Sequence, residues 1–391
     1  MSYARARLWL GISGVGTVVM VSLFLLVAQV PARLLSTTMQ FSVSEVVSLT
    51  TVLFAYAVLS APFDFFGGFI LPKEYGRTQE RLPAFLAKWG RGVLLHSLLL
   101  FGIGLALIGA TREGGTGLAV AAFFGISLLL LVAQPLVAFA LGAGRSLPLP
   151  PEMNSLLEKQ EGKKPLRVTL IETEATYFTG GIVGLPRKER VILSSQWLER
   201  LTPGELRAVL LRKQGVIESG SRLRGLLLAL GWNTGGFWLS AVLANGTAGG
   251  TASVAGLVTC GLWFTLWSFI GLLLLPTPSQ RGVFEGDAYA LKNKTDRQTL
   301  QSVIEKLDRD QDDEPARPQS IETYFHPLPS VERRLARLES SSAKVKTQSE
   351  IGAWHGARMA IYLSWAGFSF LSRAVHCNSG RPDAWVFLPS D

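Results

Sequence analysis

Cysteine is scarce in this 391-residue chain, which has two, Cys260 and Cys377. Two distant thiols make no disulfide framework and no thiolate metal cluster. Histidine is scarce too. His96, His326, His355 and His376 include no His-x-x-x-His pair. There is no Gly-x-Ser-x-Gly nucleophile elbow and no phosphate-binding P-loop, and the Cys and His placements outline no catalytic dyad. Charge is thin as well, at 17%. Soluble domains usually carry about 25% charged residues, so an ordinary soluble domain is excluded. No internal repeat is visible.

What is abundant is apolar sequence: 48% of residues are hydrophobic and the mean hydropathy is +0.30. The apolar residues come in runs at 8–30, 46–71, 92–110, 118–142, 226–244 and 252–275. Each approaches or exceeds the ~20 residues a helix needs to cross the hydrocarbon core. The runs predict six transmembrane helices. The first follows only "MSYARAR" and lacks a convincing cleavage site, so it reads as a retained anchor ahead of a cleaved signal peptide.

The net charge of +9 does not point to nucleic acid, because the basic residues are not interleaved with aromatics on one face. They flank the apolar runs instead. Arg5 and Arg7 precede the first run, and Lys73, Arg77, Arg81, Lys88 and Arg91 fill the 72–91 loop. The loops at 31–45 and 111–117 carry one Arg each. The positive-inside rule then places the N-terminus, the 72–91 loop, 145–223 and 277–350 in the cytoplasm, with 244–253 outside. An integral protein of a bacterial inner membrane is expected, with the lipid bilayer as its solvent.

Five regions follow. A membrane domain spans 1–144, and a transmembrane hairpin spans 224–276. The blocks 145–223 and 277–350 are two halves of one small α+β domain, and 351–391 is an amphipathic or membrane segment. In the first block, "LRVTLIETEATYF" and "GLPRKERVILSS" carry β-branched runs bounded by Gly and Pro, which predict a small sheet. Thr202-Pro203-Gly204-Glu205 is a capping box that starts a helix running towards 220. In the second block, "VFEGDAYALKN" and "SVERRLARLESS" read as helices, with "RDQDDEPARPQ" (309–319) as a polar linker. The stretch 353–375 suits an interfacial helix and a seventh span about equally.

These blocks, in this order, resemble the HtpX and CAAX-prenyl-protease family of integral-membrane zinc metallopeptidases. "PFDFFGGFILPKEYGRTQERLPAFLAKWGRG" (62–92) is similar to the family's loop after an early span. "VILSSQWLERLTPGELRAVL" is similar to the approach to its zinc helix. "VFEGDAYALKN" resembles the helix of the third metal ligand, and "HPLPSVERRLARL" the closing element. The resemblance implies a mostly α, polytopic protein whose metallopeptidase-like domain is split by a transmembrane hairpin.

The chemistry of that family does not follow. Zinc needs three neutral or anionic donors and an open position for water. In a His-Glu-x-x-His helix, two His share one face and the Glu is the general base. The resemblance places Arg212 and Val216 at the two His positions, Lys213 at the general base and Val283 at the third ligand. Cationic Arg and Lys repel a metal ion, and Val has no donor atom. No zinc or other cofactor is expected. Asp287 is retained and, without metal, is expected to pair with Arg212. Glu205 reads as a cap, Glu218 and Glu285 as solvated or salt-bridged carboxylates, and His96 as a packed core residue. His326 resembles a histidine that stabilises the transition state in the active enzymes. "EATYFTGG" (174–181) puts Thr176, Tyr177 and Phe178 where the family's substrate-binding edge lies, an edge open to an added strand. Asp64 reads as a cap on a bend at Pro62, ahead of a proton or ion role.

The functional expectation is a catalytically inactive metallopeptidase homologue serving as scaffold, adaptor or subunit of a membrane complex. The alternatives are an active metalloendopeptidase with displaced ligands and a lipid-binding or transport protein.

Overall fold

The computed structural model describes residues 1–140, 145–151, 166–172, 181–246, 250–311, 316–325, 328–340, 360, 363–364, 368–375 and 379–382. The chain enters the membrane part through α1 (Tyr3–Val27), the short α2 (Val30–Leu34) and α3 (Val43–Phe65). Pro62 lies inside α3, where it removes one backbone donor. Four residues later the helix widens into a π-turn, Phe66–Ile70, and continues as α4 (Leu71–Glu74).

Next comes α5 (Leu82–Ala140), with 59 residues. Straight, it would be about 90 Å long at ~1.5 Å per residue, three times the hydrocarbon thickness. It is not straight. Gly114 (φ −142°, ψ 20°) and Gly115 (φ 66°, ψ −165°) break it. Phe85, at its start, meets Phe65 and Phe69. Its last turn leads into β1 (Arg145–Leu147) of the sheet. Arg112, beside the break, donates from Nε to the carbonyl of Ala252 at the other end of the bundle. The two arms therefore run antiparallel and match the apolar runs at 92–110 and 118–142. Five helices are long and apolar enough to cross a membrane: Tyr3–Val27, Val43–Glu74, Leu82–Val137, Ser221–Asn245 and Val254–Leu274. The third of these holds both arms, which reconciles it with the six expected crossings.

The remaining strands are β2 (Val168–Glu172), β3 (Gly181–Val183) and β4 (Arg190–Ser194), in sheet order β1-β2-β4-β3. The β2/β4 pair is parallel and the outer pairs are antiparallel. Two helices follow, α6 (Gln196–Arg200) and α7 (Pro203–Glu218). The hairpin α8 (Ser221–Asn245) and α9 (Val254–Leu274) re-enters the membrane bundle. The chain returns through α10 (Pro276–Lys292), α11 (Arg297–Gln311), α12 (Gln319–Phe325) and α13 (Val331–Ser340). One apolar core binds the sheet to the helices beneath it: Leu170, Ile182, Val191 and Leu193 lie with Trp197, Val209, Val216, Val283 and Val303.

Tyr75 OH donates to the Met1 carbonyl, so the N-terminus and the 72–75 turn share the sheet side of the bundle. At the far side Arg112 binds Glu45 at 3.0 Å and the carbonyls of Thr38 and Ala252. One guanidinium thus ties three loops together.

Two expectations are corrected here. Helix α11 extends to Gln311, into the stretch expected as linker. Residues 368–375 form turns, so no helix continues through this end of the 353–375 stretch, whose residues 353–359 lie outside the described residues. Irregular backbone at membrane depth is tolerated where protein surrounds it, and every described residue from 368 to 375 is buried.

Gly115 adopts a conformation that is essentially restricted to glycine. Gly115→Ala should lower stability by about 1–3 kcal/mol. Gly109 sits in regular helix with open space where a Cβ would go, so Gly109→Ala should be neutral or stabilising. Thermal unfolding in detergent compares the two.

Candidate functional site

Helix α7 begins with the capping box foreseen in the sequence. Thr202 Oγ1 accepts from Glu205 N, and Glu205 Oε2 accepts from Thr202 N. Glu205 does more than cap. Its carboxylate also accepts from Ser302 Oγ at 2.6 Å and Lys306 Nζ at 2.8 Å, which clamps α11 against the start of α7. Burial raises its pKa, but the donors from Lys306, Ser302 and Thr202 outweigh burial and bring it down to about 2.

Further along, α7 lies against α10 at close range. A Cβ on Gly215 would come 2.6 Å from Tyr289 Cβ, and one on Gly286 would come 3.4 Å from the Arg212 carbonyl. Arg212 and Val216 are four apart on α7, and Val283 and Asp287 are four apart on α10. Each pair shares a helix face, and the two faces meet. Arg212 Nε lies 3.0 Å from Asp287 Oδ1, the pairing expected from the sequence. From α13, Arg334 adds a bidentate contact, Nε to Oδ2 at 3.0 Å and Nη2 to Oδ1 at 2.8 Å. All three side chains are buried. Val216 and Val283 fill the rest of the interface as members of the apolar core. Lys213 has no exposed surface.

Around this centre the other candidates have structural partners. Glu218 accepts from Gln214 Nε2 and from Tyr289 OH. Burial and the Glu218 carboxylate push the Tyr289 hydroxyl above its ordinary pKa. Glu285 is half-buried. Glu322, not singled out from sequence, accepts from Arg333 Nη1 at 2.7 Å and Ser330 N at 3.1 Å at the start of α13. His326, Thr176, Tyr177 and Phe178 lie outside the described residues, as do His355, His376 and Cys377. Arg334 was missed as well. Its signal was available: it falls on the apolar face of α13 between Val331 and Leu338, and a charge on such a face marks a buried pair.

The edge expected at 176–178 lies outside the described residues, and the described strand next to it is β3. Val191 N donates to the Arg167 carbonyl on the β2 side. Opposite it in β3, Ile182 therefore turns its carbonyl outward, the position an added strand would use. Arg222, at the start of α8, holds that carbonyl at 2.7 Å and also binds the Gly184 carbonyl. All three residues of β3 are buried. Arg222 thus occupies the outward-facing acceptors at this edge.

No protein-family profile matches the chain, and no curated protein matches it. Among solved structures, the crystal structure of S. mikatae Ste24p superposes with a TM-score of 0.66 at 14% identity, covering 76% of each chain. The chain has the fold of Ste24p. At that identity the likeness concerns fold and leaves chemistry open. Zinc in a Ste24p-like fold would require a donor set that these residues do not supply. Among the described residues, no group of three or more His, Cys, Asp or Glu side chains is placed to hold an ion. Asp287 already has both oxygens engaged by guanidinium groups.

Two outcomes follow. Glu205 has a folded-state pKa below its ordinary value near 4.5. Its contribution to stability is therefore complete above about pH 4.5 and is lost as pH falls towards about 2. Between about pH 6 and pH 3, the unfolding midpoint of the native chain should fall more steeply than that of Glu205→Gln. Asp287→Asn leaves two guanidiniums buried without their anion and should cost about 3–5 kcal/mol, read by denaturant unfolding.

Proposed function

We propose that this chain is a non-hydrolytic relative of the membrane metalloproteases that serves as a scaffold, adaptor or subunit of a membrane complex. The observation that carries this reading is the Arg212–Asp287–Arg334 cluster between α7, α10 and α13. Hydrolysis in the Ste24p-like fold would need a metal-bound water at that junction. A guanidinium satisfies the buried carboxylate but does not lower the pKa of a water, and Val216 and Val283 fill the remaining space with methyl groups. Closure of β3 by Arg222 agrees, because it removes one place to align a substrate strand. In this reading the chain binds no zinc. It sits in a bacterial inner membrane with its N-terminus and α+β domain in the cytoplasm, following the basic residues of the 72–91 loop.

The purified chain should contain no stoichiometric zinc, and zinc addition should produce no peptide cleavage. Pull-down in mild detergent should recover a stable membrane partner. One tightly bound zinc per chain, or cleavage abolished by chelator, would overturn the reading of the site. Failure to recover any stable partner would remove the scaffold role while leaving the absence of hydrolysis intact.

A further inference from the structure

The segment from Ala360 to Pro382 occupies an unusual place. Its described residues lie inside the membrane bundle and touch nearly every wall of it. Asn233 of α8 donates to the Ala360 carbonyl at 3.1 Å. The Phe370 N–H donates to Thr265 Oγ1, midway along α9, at 3.0 Å. Phe368 fits against Gly261 of α9 and Gly104 of α5, where a Cβ would come 3.1 Å from its Cβ and 2.8 Å from its ring, respectively. The Ala374 carbonyl faces Gly14 of α1, and residues 379–380 press on Gly67 and Gly68 of the π-turn. Helix after helix presents a glycine where this segment passes, so the bundle has room for an irregular chain that regular side chains would exclude.

One charged contact anchors it. Arg373 Nη2 donates to Asp64 Oδ2, and each side chain is 1% exposed. Trp89 Nε1 donates to the same oxygen at 3.0 Å, and Gly380 N donates to Oδ1 at 2.8 Å. The guanidinium also lies over the Tyr56 ring, 5.5 Å from its centroid. Asp64 is thus a receptor for the segment rather than a cap on the Pro62 bend. A buried charge at membrane depth is costly unless paired, so Asp64 and Arg373 each fix the other.

We infer that the described residues of this segment, 360, 363–364, 368–375 and 379–382, form an internal plug. It fills the interior of the membrane bundle, and the Arg373–Asp64 pair is the latch that seats it. The bundle is therefore closed to water, lipid chains and extended peptides while the latch holds. Loss of one partner leaves the other charge buried alone and favours release. The inference concerns the membrane bundle only, and it stands whether or not the α+β domain is hydrolytic.

The test uses the full chain in native vesicles, with Cys260→Ala and Cys377→Ser as background. Thr265→Cys places a thiol on the wall beneath Phe370, and Gln79→Cys places one on the exposed loop. A small water-soluble methanethiosulfonate reagent reports access. In the latched chain, Thr265→Cys should react at least about a hundredfold slower than Gln79→Cys, as a position reached only by local opening. Adding Asp64→Asn should raise that rate by roughly a hundredfold, the scale set by stranding one partner of a buried pair. Asp64→Asn with Arg373→Met removes both charges and should restore protection. Fast labelling of Thr265→Cys in the latched chain would overturn the plug. An unchanged rate in Asp64→Asn would overturn the latch. If Asp64→Asn does not accumulate as folded protein, Arg373→Met poses the same question with the carboxylate stranded.

Discussion

A carboxylate taken out of water must find cations or donors in the protein, and Asp287 shows how much of a fold can hang on that requirement. Its two oxygens meet Arg212 from α7 and Arg334 from α13, while Asp287 itself is on α10. Three helices from two separated stretches of chain are thereby held at one point. The apolar core around Val216 and Val283 supplies most of the burial, but apolar contact is non-directional. The guanidinium forks set register, because a bidentate contact tolerates little sliding. Glu205 performs the same service one helix away, fastening α11 to α7 through Ser302 and Lys306.

The same constraint operates inside the bilayer with higher stakes. Backbone at membrane depth must be satisfied within the protein. The turns at 368–375 meet that demand by borrowing side chains from the helices, such as Thr265 for the Phe370 N–H. Glycines in α1, α5, α9 and the π-turn provide the space. The Asp64–Arg373 pair adds one strong, specific contact. The bundle thus accommodates irregular chain and charge together, because each offsets the cost of the other.

Much of this was legible in sequence because its signals are local. Hydrophobic runs gave the membrane helices, and Thr202 to Glu205 gave the start of α7. The order of the blocks gave the Ste24p-like fold. Residues that act across long separations were harder. Arg212 and Asp287 were paired from the motif, yet Arg334 and its second bond to Asp287 depended on how α13 docks. Asp64 looked like a local cap because its true partner is more than three hundred residues away. Arg222 carried no signal in the sequence, and only the register of β3 against β4 reveals the carbonyl it covers. The two arms of α5 were read as separate spans because Gly114 and Gly115 sit in a short polar interruption that looks like a loop.

Under the proposed function, an arginine-centred junction stands where a metalloprotease would hold its metal, and such an exchange has a physical logic. A divalent ion organises a site by drawing several donors to one point, and it stays only if those donors remain. A guanidinium carries its charge on the chain, so it organises one carboxylate without any exchangeable component. The junction then cannot be emptied by a chelator or filled with the wrong ion. What is given up is Lewis acidity and an open coordination position, the two properties hydrolysis uses. Under the proposed function, an architecture that keeps its capping box, its helix contacts and its buried acid, and places Arg212 against that acid, would retain what a metal does for assembly and forgo what it does for reaction. That is the combination a binding or assembling role would require of this fold.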